Sequence, residues 1–255
     1  KLLTWNLHGR RLNVERLERH GSGYVGKHEP DQFVCDDTWF RGMEISTGPD
    51  GALYALDWND TGECHDHTGV YRTSGRIYRF SHGKPAKPNL SQLGAPLNEW
   101  LEHPNNWYFR QWLAHDRKVE NPQALQAYLD DETKPIHFRL RAMWALHVGG
   151  QNFQPERYFT HQNEQIQVQA LQLALEPYPI DAIPSRVRNH TATPFLDTLH
   201  ALAENEDSQL VQLWLASALQ RLPVENRLAL AKKIARVPER GSDHNFPYMI
   251  WFGLI

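Results

Sequence analysis

Hydrophobic spacing changes near residue 83, and no single kind of layer can satisfy both spacings. Before that point the pattern has the period of two that a strand requires. Met43-Glu44-Ile45-Ser46-Thr47 alternates, Gly48-Pro49-Asp50-Gly51 supplies a turn, and Ala52-Leu53-Tyr54-Ala55-Leu56-Asp57 makes a second strand. The turn has a mechanism, since Pro presets φ and Gly accepts a positive one. A loop then runs to Thr73-Ser74-Gly75, after which Arg76-Ile77-Tyr78-Arg79-Phe80 alternates again. Strand, tight turn, strand, long excursion, strand is the layout of one β-propeller blade, and equally of a small antiparallel meander.

Ser81-His82-Gly83-Lys84-Pro85-Ala86-Lys87-Pro88 reads as a boundary. Beyond it the period is helical. Leu90, Leu93, Leu97 and Leu101 share a face, and Asn105-Asn106 can begin a helix carrying Trp107, Phe109, Trp112 and Leu113. Further helices are predicted over 123–129, 136–148, 166–175, 194–203, 210–222 and 224–237. Tyr108-Phe109-Arg110-Gln111-Trp112-Leu113-Ala114 has an echo in His137-Phe138-Arg139-Leu140-Arg141-Ala142-Met143, 29 residues on. Such helix pairs suit a HEAT-like solenoid or a single bundle. The Trp residues of this half, Trp100, Trp107, Trp112, Trp144 and Trp214, recur at core-facing spacing. The expected domains are therefore 1–83, a linker 84–89, and 90–255. Lys1 is not a Met, and Tyr248 to Ile255 is an apolar run without a polar tail, so both edges read as cuts and the chain as a fragment.

Charge narrows the function. The net charge is −3 and no basic cluster exists, so nucleic acid has no electrostatic footprint. No run approaches the length of a membrane span. Between Gly42 and Tyr71 there is no Lys or Arg but six acids: Glu44, Asp50, Asp57, Asp60, Glu63 and Asp66. Uncompensated carboxylates repel, so this loop invites a cation or a basic partner. Asp57, Asn59, Thr61 and Gly62 match the opening of a calcium loop, with Glu63 and Asp66 as further oxygen donors. The twelfth position is Thr68 rather than a bidentate Glu, which excludes an EF-hand. Cys64, His65 and His67 offer a softer transition-metal alternative, and a solvated loop is the third.

Asn6-Leu7-His8-Gly9-Arg10-Arg11 is the second candidate site. His8 can serve as a general base, and Arg10 with Arg11 can clamp a carboxylate or an anionic cofactor. The competing reading makes Val14-Glu15-Arg16-Leu17-Glu18-Arg19 a solvated helical turn with local charge pairs, Arg10 and Arg11 at its edge. Cys35 and Cys64 are either a disulfide or two buried thiols. No Cys-x-x-Cys-His occurs, so no haem is attached within this chain.

The runs Asn6–Arg11, Gly21-Ser22-Gly23-Tyr24-Val25-Gly26, Trp39-Phe40-Arg41, Gly48–Tyr54, Asp57–Asp66 and Thr73–Tyr78 together resemble the last blade region of the "membrane-bound dehydrogenase" type proteins of planctomycetes and verrucomicrobia. Those proteins are similar in their propeller to soluble sorbosone and aldose sugar dehydrogenases. The resemblance implies an α+β chain of two domains: the last blade region of a six-bladed β-propeller, then an α-helical HEAT-like solenoid. It also implies oxidation of a sugar or aldehyde with pyrroloquinoline quinone and calcium, in a periplasmic or secreted setting. His8 would be the base, Arg10 and Arg11 the cofactor clamp, and the Asp57–Asp66 loop the metal or structural element. Electrons would pass to a c-type cytochrome domain. The alternative function is a non-enzymatic helical-repeat interaction module.

Overall fold

The structure is a computed structural model, and it describes residues 1–61, 73–85, 87–88, 90, 94–149, 152–180, 193–236 and 243–255. The chain divides into two compact units, 1–18 with 26–121, and 19–25 with 122–255.

The first unit holds two three-stranded antiparallel sheets. One has the order β1 (Leu2–Asn6), β2 (Arg11–His20), β3 (Gly23–Val34); the other β4 (Gly42–Thr47), β5 (Leu53–Asp57), β6 (Arg76–Phe80). In β2 the apolar side chains Leu12 and Val14 are buried while the alternating Arg11, Asn13 and Glu15 are not. The sheets meet over an aromatic cluster. Trp5 packs edge-on to Phe33 and Phe40, and Phe33 lies 4.9 Å from Phe80. A Cβ on Gly42 would sit 2.5 Å from the Trp5 ring, so the indole needs a glycine there. Gly51 closes the β4–β5 turn at φ 75°, as the Pro-Asp-Gly signal requires. Two helices follow, α1 (Leu97–Leu101) and α2 (Asn106–His115), the second capped by the side chain of Asn105. The Asn105 amide also donates to the Gly48 and Pro49 carbonyls, and the Tyr108 hydroxyl to Pro49, so α2 grips the β-turn.

The expected fold class does not hold. A partial β-propeller followed by a HEAT-like solenoid is not what the chain forms: among the described residues there is no four-stranded blade and no closed ring. The physical reason lies in the first 34 residues. They make a second sheet, which covers the aromatic face of the first, and the strands close on one another as a pair of sheets. Residues 14–19 are likewise strand and not helical turn. Their charges pair across strands, Glu15 with His28 and Arg16 with Glu29, instead of at helical spacing.

The second unit is helical: α3 (Pro122–Asp130), α4 (Ile136–Val148), α5 (Glu164–Leu175), α6 (Leu196–Asn205), α7 (Gln209–Ala218), α8 (Val224–Ile234) and α9 (Phe246–Leu254), with 3-10 turns at Pro155–Tyr158 and Leu219–Arg221. One device recurs. The fourth residue of α4, α5, α7 and α8 (Arg139, Gln167, Gln212, Arg227) is buried and polar. Each donates to a carbonyl at the end of the preceding helical segment: Leu129, Phe159, Leu202 and Leu222 respectively. All four lie at helical ends, where carbonyls run short of backbone donors, although Leu202 also accepts the Glu206 N–H. The rungs fall at unequal intervals along the chain.

The β2–β3 tip belongs to this unit. Gly21 has φ 59°, and buried Ser22 gives its N–H and hydroxyl to Asp243, both at 2.9 Å. Asp243 also accepts from the Asn245 and Phe246 N–H groups that open α9.

Candidate functional site

Three places come from the sequence, and the structure treats each differently. The first is the acidic loop. Asp57, Asn59 and Asp60 are all buried. Oδ1 of Asp57 accepts from the Arg41 and Asn59 N–H groups, each at 2.9 Å, and Oδ2 from the Asn59 amide. The Asn59 side-chain Oδ1 accepts from the Ser74 hydroxyl at 2.6 Å, while the Asn59 backbone is left-handed at φ 51°. This half of the loop satisfies itself. Thr61 is exposed, and Glu63, Asp66, Cys64, His65 and His67 lie outside the described residues. Among the described residues no three His, Cys, Asp or Glu side chains converge as a metal group.

The second is the β1–β2 turn. His8 is exposed there. Arg10 is left-handed at φ 52° and donates to the Asp36 carbonyl; Arg11 donates to the Gly9 carbonyl and pairs with Asp31 at 3.3 Å. Both guanidinium groups therefore have protein partners, and the described residues make no preformed anion clamp. Cys35 is half-buried, and its proposed partner Cys64 lies outside the described residues.

The third is the set of helical tryptophans, where the core-facing expectation divides. Trp100 and Trp112 are buried, but Trp107, Trp144 and Trp214 are only half-buried. Trp144 on α4 donates its indole N–H to Gln169 on α5 at 2.8 Å. The Gln169 amide reaches Gln172 one turn on. Gln172 in turn lines a cleft of about 390 Å³ between α5 and α7, with Trp214 and Gln220 on its other side and Leu171, Leu175 and Ala218 as apolar floor. The charged groups at this cleft have partners: Glu176 pairs with His147, and Arg221 donates to the Leu175 and Tyr178 carbonyls. The face from α4 across α5 to α7 is thus aromatic and amide-rich, with Glu176 and Arg221 as the charged groups at the cleft. Its sequence signal was the run Gln165, Gln167, Gln169 and Gln172, which puts amides on more faces of α5 than a core helix needs.

A second cleft of similar size lies between the segment Thr160-His161-Gln162 and α6. Burial pushes His161 below the usual histidine range, and the neighbouring Arg139, 3.1 Å away, adds to it. The ring also accepts the Asn163 N–H, so His161 serves as a neutral structural acceptor. No protein-family model, no curated protein and no solved structure matches the chain.

Proposed function

We propose that this chain is part of a sugar or aldehyde dehydrogenase of the quinone-dependent kind, and that its own contribution is a docking surface on the helical unit. The first half rests on the motif runs between Asn6 and Tyr78; the second rests on one observation, the Trp–Gln face across α4, α5 and α7. Half-buried indoles with adaptable amides form the kind of patch that interfaces favour. The quinone would supply the two-electron chemistry, and the periplasmic or secreted setting belongs to the same reading. Arg10, Arg11, Asp57 and Asn59 as they stand are bound internally, so they do not fit a ready cofactor site, and no catalytic step is assigned to them. A c-type cytochrome is the partner this reading expects at the face.

That same internal bonding favours the second reading, a helical interaction module without catalysis. Cofactor reconstitution separates the two. The protein carrying this chain is loaded with pyrroloquinoline quinone and calcium and offered a panel of sugars and aldehydes. Quinone-dependent dye reduction is the expected result. No reduction with any of them, alongside binding of a c-type cytochrome by this chain, leaves the module alone. For the acidic loop, millimolar calcium should raise the melting temperature, and Glu63→Gln with Asp66→Asn should abolish the rise.

A further inference from the structure

We infer that two copies of this chain associate through α9, the outward faces of the two helices packing antiparallel across a twofold axis. This goes beyond the docking reading, which rests on the α4–α5–α7 face. Phe246-Pro247-Tyr248-Met249-Ile250-Trp251-Phe252-Gly253-Leu254 carries no charged side chain, and a helix that is apolar all round needs cover all round. One side has it. Phe246 and Gly253 are buried, Gly253 lies against Leu219, and its carbonyl accepts from Arg227 of α8. The opposite side does not. Tyr248, Trp251, Phe252 and Ile255 stand at i, i+3, i+4 and i+7 and are 63%, 62%, 46% and 50% exposed. Leu254 on α9 is exposed as well, and so are Val224 and Leu228, one turn apart on α8.

Area, symmetry and charge select a second copy. The five exposed α9 side chains present on the order of 600 Å² of apolar surface, at the upper end of what a monomer leaves as one patch. With Val224 and Leu228 the total approaches the ~800 Å² that each partner of a stable interface buries. The stripe is also self-complementary. It is symmetric about the Trp251–Phe252 pair, so an antiparallel copy sets Trp251 against Phe252 of the second copy and Tyr248 against its Ile255. That arrangement opposes the helix dipoles and brings no like charges together. The helix is already fixed by Asp243 at its start and Leu219 near its end, so pairing orders little that is not ordered beforehand. A membrane surface fits less well: a helix lying on one carries Lys or Arg on its polar face, and none occurs from Gly241 to Ile255.

The test is sedimentation equilibrium of the purified chain from about 1 to 100 μM, where the mass should rise from one chain to two with a dissociation constant of about 1–10 μM. Trp251→Glu should leave a monomer at about 100 μM, because it buries two like charges at the axis. Trp251 is exposed in the single chain, so the variant should keep the parent's circular dichroism melt; Val34→Glu, at an exposed apolar site in the other unit, should leave the dimer intact. A cross-link checks the register without relying on that variant. With Cys35→Ser and Cys64→Ser as background, Tyr248→Cys plus Ile255→Cys should give a covalent dimer on mild oxidation. Either cysteine alone should not, since like positions then lie about 10 Å apart along the axis, beyond disulfide reach. A chain that stays monomeric at about 100 μM overturns the proposal, as does a dimer indifferent to Trp251→Glu or a series of larger assemblies. Cross-linking by either single cysteine as well as by the pair overturns the antiparallel arrangement. A monomer that floats with neutral phosphatidylcholine vesicles through Trp251 assigns the face to a membrane instead.

Discussion

Asp243 shows how much one carboxylate can hold. Two donors from Ser22 and two from the start of α9 converge on it. Burial works to raise its pKa, but the hydrogen bonds from Ser22, Asn245 and Phe246 outweigh it and hold the group below the usual carboxylate range. Asp243→Ala should therefore cost about 2–3 kcal/mol, the scale for hydrogen bonds to a charged acceptor, measured by urea unfolding. Because the folded pKa is depressed, the stabilisation is present above the unfolded value of about 4 and disappears as pH falls through the folded one. The variant's stability should then fall less steeply than the parent's below that pH. Asp57 makes a related case. Its oxygens accept from the Arg41 and Asn59 N–H groups, so Asp57→Ala should lower the melting temperature equally in calcium and in chelator. Nothing local to either Asp in the sequence marks it as a staple, because the donors to Asp243 come in part from Ser22, more than two hundred residues away.

Among elements, the recurrent buried rung at the fourth position of a helix is the most testable feature. Gln212 is fully buried and donates to the carbonyls of Leu202, Ala203 and Glu206 at 3.1, 3.4 and 2.9 Å. Gln212→Leu keeps the bulk but takes the side-chain donor from all three carbonyls, of which Leu202 keeps the Glu206 N–H, and should cost about 1–3 kcal/mol in denaturant unfolding. Gln220→Ala, on the half-buried rim of the cleft, should cost under about 0.5 kcal/mol. Gly253 tests close packing: a Cβ there would sit 2.5 Å from Cβ of Leu219, so Gly253→Ala should destabilise the α9 contact with the 3-10 turn by about 1–3 kcal/mol. Strands β4, β5 and β6 and helices α2 to α8 were legible in advance, because period and turn chemistry are local, whereas α9 read only as an apolar run. β2 was not. Its alternating Val14-Glu15-Arg16-Leu17-Glu18-Arg19 suits a helix by charge spacing and a strand by burial, and only the neighbouring strands β1 and β3 decide between them.

For the molecule as a whole, pH adds two separate losses of stability. His161 and His200 are held below the usual histidine range, each by burial first, then by Arg139 and Lys233 respectively. A base with a depressed folded pKa stabilises the fold fully above its unfolded value, about 6.5, and loses that contribution as pH falls through the folded value. Melting temperature should thus begin to drop below about pH 6.5, before the carboxylate transition near pH 4. Double substitution of His161 and His200 by Gln should flatten the first step and spare the second. Much of the architecture follows from local chemistry: the change from strand to helix, the Pro-Asp-Gly turn, the Asn105 cap and the acidic run are properties of neighbours within a few residues. Strand pairing, by contrast, joins residues distant along the chain. The tertiary structure alone decided that six strands form two sheets over Trp5, Phe33 and Phe80 and not a propeller blade, since a blade and a meander share one local pattern. It also gave Asp57, Arg10 and Arg11 protein partners and left Trp214 at a cleft, because contacts depend on which faces meet and residue type does not specify that.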